Sequence, residues 1–203
     1  MLFRSPGRVC AVVAAVVAAA TMVAAQQLTP RDAESLEKKL AVVVARGAAK
    51  PDRKQSPVRT SFSEREVNAY LKFNASDQLP KGVVDPQVNL AGERRISGRA
   101  IVDLDVVRTS KVRSWLDPVA YLTGSVEVHA TGLLHTSNGK GTLQVESASV
   151  GSVPIPKSLL QELVTYYSRS PDLPNGFDLD KPFDLPANIR EVEIQRGGAT
   201  VVQ

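Results

Sequence analysis

The tightest constraint on this chain is an alternation of apolar and polar residues sustained over two long stretches. From Ile96 to Val107 the even positions carry Ile96, Gly98, Ala100, Val102, Leu104 and Val106, with Ser97, Arg99, Asp103 and Asp105 between them. From Val126 to Leu134 the same period sets Val126, Val128, Ala130, Gly132 and Leu134 against Glu127, His129 and Thr131. Side chains of a strand point alternately to its two faces, so each stretch predicts a strand with one apolar and one polar side, the first roughly 40 Å long. One covered and one wet face is the habit of antiparallel sheets. The turn chemistry agrees. Ser137-Asn138-Gly139-Lys140 predicts a tight hairpin that returns through Thr142 to Val150. Upstream, Val83 to Leu90 turns through Gly92-Glu93-Arg94-Arg95, and Pro86 marks that strand as an edge. The chain closes in a third hairpin, Ile189 to Gln195 and Ala199 to Val202, around Arg196-Gly197-Gly198.

Three helices accompany these strands. Thr29 reads as an N-cap with Pro30 at the first helical position, followed by an apolar stripe of Leu36, Leu40, Val43 and Val44 and by Gly47 as a stop. Ser63 and Glu66 form a capping box, bracketed by Phe62 and Val67 at the positions of a hydrophobic staple, and predict a short helix through Leu71 or Phe73. Lys157 to Arg169 predicts the third. The expected fold class is α+β: a long-stranded, curved antiparallel sheet with helices packed on its apolar face.

The N-terminus predicts export. Arg4 and Arg8 precede the Ala/Val-rich run Val9 to Ala20, and Val23-Ala24-Ala25 supplies small residues for cleavage before Gln26. The expected organisation is a signal peptide over 1–25, an amphipathic helix over 26–47, a flexible basic linker over 48–57 and one α+β domain over 58–203. Losing the two signal arginines takes 25 basic residues to 23, against 21 acidic ones, so the net charge falls from +4 to +2 and the whole-chain charge overstates the electrostatic case for nucleic acid. The single Cys, Cys10, lies inside the signal, so neither a disulfide framework nor a Cys-based zinc site is expected.

Catalytic constellations are hard to assemble. His129 and His135 share the polar side of one strand without a third ligand. The letters S-x-x-K over Ser137 to Lys140 fall in a turn, not at a helix N-terminus. Asp178, Asp180 and Asp184 lack the spacing of a calcium loop. No enzyme activity, metal or cofactor is therefore expected. What stands out is small residues on the apolar face. Gly98 and Ala100 on one strand, and Ala130 and Gly132 on the other, lie between larger neighbours and imply a concavity that a helix or an elongated apolar ligand must fill. An acyl chain would run past these four, with its head group near the segment Val112 to Leu122. That segment carries the only Trp, Trp115, with Leu116 and Tyr121 beside Lys111 and Arg113, a composition suited to a membrane surface.

Four runs, FSEREVNAYL, ISGRAIVDLDVV, VESASVGSVPIPKSLLQELV and FDLPANIREVEIQRGGATVV, together resemble the LmeA-like exported bacterial proteins. They are more distantly similar to YpmS-like and tubular lipid-binding domains. The resemblance spans roughly residues 58 to 203 and implies a long curved sheet wrapped about a helix, with lipid as the ligand and no catalytic residues. Two functions are thus expected. One is exported, non-enzymatic binding of lipid or another hydrophobic molecule in the cell envelope. The alternative is a structural or protein-interaction module with a fully packed core, docking a partner through the N-terminal helix.

Overall fold

The computed structural model describes residues 27–49, 56–109, 123–169 and 173–203. The segment 1–25 and residues 50–55 of the basic segment lie outside them.

The elements are α1 (Pro30–Ala48), β1 (Arg59–Ser63), α2 (Glu64–Phe73), β2 (Val83–Gly92), β3 (Arg95–Asp103), α3 (Leu104–Thr109), β4 (Ser125–Ser137) and β5 (Lys140–Val150). They continue with β6 (Val153–Pro154), α4 (Lys157–Tyr167), β7 (Phe183–Asp184), β8 (Glu191–Gln195) and β9 (Gly198–Val202). The fold is α+β with antiparallel pairing throughout, and its strands divide into two sheets. Six strands form a long sheet in the order β2-β3-β4-β5-β6, with β7 also on β5, and three form a small sheet, β1-β9-β8. The hairpins fall where the turn residues put them: Glu93 and Arg94, and Asn138 and Gly139, adopt the positive φ of tight two-residue turns. Pro86 lies on edge strand β2, in a bulge between Val84 and Gln87.

Two local expectations are revised. The strand from Ile96 stops at Asp103, because the Asp103 carboxylate accepts the backbone N–H groups of Asp105 and Val106 and turns the chain into α3. An acidic residue that reads as the polar side of a strand thus works as a helix cap. Gly47 does not end α1, which runs to Ala48; a Cβ there would stand 2.4 Å from the Cα of Ala187, so Gly47 lets the helix abut the chain before β8.

The main core lies between α1, α2 and the small sheet. Leu36, Val43, Phe62, Ile189 and Val201 are buried together, with Leu40, Val67 and Tyr70 packed against them. The apolar stripe of α1 therefore faces inward, although Val44, at 61% exposure, remains outside. Glu66 ties this region together. Its carboxylate accepts Lys39 Nζ at 2.7 Å, Ser35 Oγ at 2.5 Å and the Ser63 N–H at 2.8 Å, joining α1 to the start of α2. Burial alone would raise the Glu66 pKa; the hydrogen bonds from Lys39, Ser35 and Ser63 outweigh it and bring the group down to about 2.

Side chains close two of the described strand edges. The Asn68 amide donates to the Val88 carbonyl and accepts the Val88 N–H, both at 2.7 Å, and Glu64 accepts the Leu90 N–H, so α2 takes the place of a further strand beside β2. Thr136 does the same for β8, with its hydroxyl bonded to both the N–H and the carbonyl of Val192.

Candidate functional site

The register of the long sheet decides which apolar residues stand together, since directly paired residues of antiparallel strands share a face. Val88, Gly98, Ala130 and Ala148 pair in sequence across β2, β3, β4 and β5, and form one row perpendicular to the strands. Leu90, Ile96, Gly132 and Val145 form the next row on one side; Ala100, Val128 and Val150 form the next on the other. With strands about 4.8 Å apart, the small residues Gly98, Ala130 and Ala148 span roughly 10 Å of this row. Gly98, Ala100, Ala130 and Gly132, predicted from periodicity alone, do share one face.

They do not share one environment. Gly98 is exposed, Ala100 and Ala130 are half-buried, and a Cβ on Gly98 would meet nothing nearer than the Gln87 carbonyl oxygen at 3.9 Å. Gly132 is buried, and a Cβ there would stand 2.7 Å from the carbonyl oxygen of Gln144. The cause is a bulge. Thr131 pairs with Ser147 but Gly132 pairs with Val145, so Glu146 is an extra residue that pulls the β5 backbone over Gly132. The bulge also switches the parity of β5, which is why Leu143 and Val145 before it and Ala148 and Val150 after it all reach the apolar face. Ala148, 8% exposed, completes the row at its covered end, on the strand that α4 contacts. It was open to discovery in the sequence as the small residue opposite Ala130, but the bulge conceals its face from period counting.

The rest of the face stays half-open. Ile96, Val102, Val126, Val128 and Leu134 are each only partly buried, and no residue of the long sheet belongs to the main core cluster. α4 and its C-cap are tied to the segment that follows by polar side chains: Gln161 accepts the Leu179 N–H, Thr165 donates to the Phe177 carbonyl and Ser168 accepts the Phe177 N–H. Phe177 and Phe183 pack 5.4 Å apart, with Phe183 over Gly141. Trp115, Leu116 and Tyr121 lie outside the described residues.

The opposite face of the sheet is a charged surface. Arg95 holds Glu146 with two hydrogen bonds, at 2.9 and 3.0 Å. Glu127 lies between Arg99 at 2.8 Å and His129 at 3.3 Å; the Arg99 hydrogen bond, then that of His129, hold its carboxyl below the usual range. His135 meets Arg94 at 3.3 Å, so the two histidines have separate partners. The loop aspartates do not converge either. Asp178 bonds Lys181, which lowers its pKa, Asp180 pairs with Lys157, and Asp184 pairs with Lys140.

No family model matches this chain, and no curated protein matches it. Among the described residues no helix is long and apolar enough to cross a membrane. Among solved structures, the chain is similar at 16% identity and a TM-score of 0.24 to a lipopolysaccharide binding protein, over 77% of its own length and 45% of that protein's, so it spans less than half of it.

Proposed function

We propose that the protein is exported and binds a lipid or another elongated hydrophobic molecule in the cell envelope, without catalysing a reaction. The observation that carries this reading is the apolar face of the long sheet. Its central rows are partly exposed, its floor is lowered by Gly98 and Ala130, and the buried core lies elsewhere, against α1 and the small sheet. A folded chain that leaves such a face open gains free energy when an apolar molecule covers it, at about 25 cal/mol per Å². The N-terminal segment with the pattern of a secretory signal and the likeness to LmeA-like proteins favour the envelope as the place of action and a lipid as the molecule. The competing reading, a partner docked through α1, is disfavoured because Leu36 and Val43 of its stripe are already buried in the core.

Uptake of a fluorescent fatty acid by the purified chain, compared with Gly98→Leu, tests the proposal. Saturable uptake that Gly98→Leu abolishes supports it. No uptake by the unmodified chain, or equal uptake by the variant, counts against it.

A further inference from the structure

β8 stands across one end of the apolar face. Thr136 shares its side of β4 with Ala130 and Gly132, and its hydroxyl bonds both the N–H and the carbonyl of Val192, near the start of β8. Just past the other end of β8, Arg196 bridges to Ala91, and the Gly197 N–H donates to the Leu90 carbonyl of β2 at 2.7 Å. The strand therefore crosses from β4 to β2 over the turn end of the long sheet. Beside it Leu90 and Gly132 are buried and Ile96 is half-buried. One row further on, Gly98 is exposed, and Ala100, Val102, Val126 and Val128 stay half-buried as far as Asp103 and Ser125, the last pair of β3 and β4. Among the described residues the face is a trough with a wall at one end only.

We infer that this trough measures its ligand: it takes one unbranched acyl chain, with the methyl end against Ile96 and the polar end beyond Asp103 and Ser125. The inference rests on the lipid-binding reading and adds a chain length to it. The floor is lowest along β3, at Gly98 and Ala100, with Ala130 beside them, so the chain runs parallel to the strands. From Gly98 to Asp103 the trough is roughly 17 Å long. An extended chain advances about 1.2 Å per bond, which gives room for about 14 carbons. A shorter chain leaves apolar surface uncovered. A longer one gains nothing, because its extra carbons pass the open end and remain in water.

Displacement of a fluorescent fatty acid from the purified chain, by straight-chain fatty acids shorter and longer than this, tests the inference. Affinity is expected to rise about fourfold with each added carbon up to about 14 carbons, and to level off beyond. Ile96→Ala cuts back the closed end and should move the break to chains about three carbons longer, the number that the substitution deletes. Val126→Ala, at the open end, should leave the break in place. Affinity that climbs through the whole series without a break, or a break that Ile96→Ala does not move, overturns the measuring trough and leaves lipid binding intact. No displaceable uptake at any length counts instead against the lipid reading itself, and the inference falls with it.

Discussion

Leucine at Gly98 and at Gly132 should act in opposite directions, although both glycines sit on the same face in neighbouring strands. At Gly98 the nearest atom to an added Cβ is 3.9 Å away, so the side chain enters open space over the small-residue row. Replacing a strand glycine removes backbone freedom from the unfolded chain, worth about 0.5–1 kcal/mol, and the leucine covers apolar surface in addition. For a chain of this size 1 kcal/mol moves Tm by about 2–4 °C, so Gly98→Leu is expected to melt at the same temperature or a few degrees higher. At Gly132 a Cβ would stand 2.7 Å from the Gln144 carbonyl oxygen, a backbone atom held by the bulge. Overpacking of this kind costs about 1–3 kcal/mol, and Tm should fall by roughly 2–12 °C. Thermal melts of the two variants beside the parent decide the matter. If Gly98→Leu loses as much stability as Gly132→Leu, the space above Gly98 is not open, and the binding face loses its support.

Other consequences concern how the site is held. Glu66 ionises at about 2 in the folded chain against an ordinary 4.5, so it contributes stability above pH 4.5 that is lost as pH falls toward 2. The contribution is roughly 3 kcal/mol, and Glu66→Gln should flatten the melting profile across that acid range; an unchanged profile would contradict it. Leu36→Ala should cost about 2–5 kcal/mol, visible as a lower denaturant midpoint, whereas a near-neutral effect would mean that α1 does not contribute to the core. Asn68→Ala should strip the partners from both the N–H and the carbonyl of Val88, at about 1–3 kcal/mol, and promote self-association of β2 measurable by sedimentation.

The parts of the fold legible in the sequence are those set by local chemistry. The cap at Thr29, the capping box at Ser63, the turns at Glu93-Arg94 and Asn138-Gly139, and the alternation that puts Gly98 and Ala130 each on the apolar side of its own strand all follow from residues near one another in the chain. What escaped depends on contacts between distant segments. Asp103 suits the polar side of a strand as well as a helix cap, and only its bonds to Asp105 and Val106 choose between them. The bulge at Glu146 shifts β5 by one residue, so no count of period two reveals that Gly132 is covered while Gly98 is open, or that Ala148 extends the row. The division into two sheets, and the burial of α1 between α2 and the small sheet, likewise rest on long-range pairing of β1 with β9 and on Glu66 bonding Ser35 and Lys39.

The most direct test of a lipid-binding function is native mass spectrometry of the full-length chain expressed with its own N-terminus and purified from the envelope fraction without detergent, followed by solvent extraction. The expected result is a stoichiometric added mass that extraction recovers as lipid and that is absent from Gly98→Leu prepared in the same way. A bare polypeptide mass from well-folded protein that also takes up no fatty acid in vitro would contradict it.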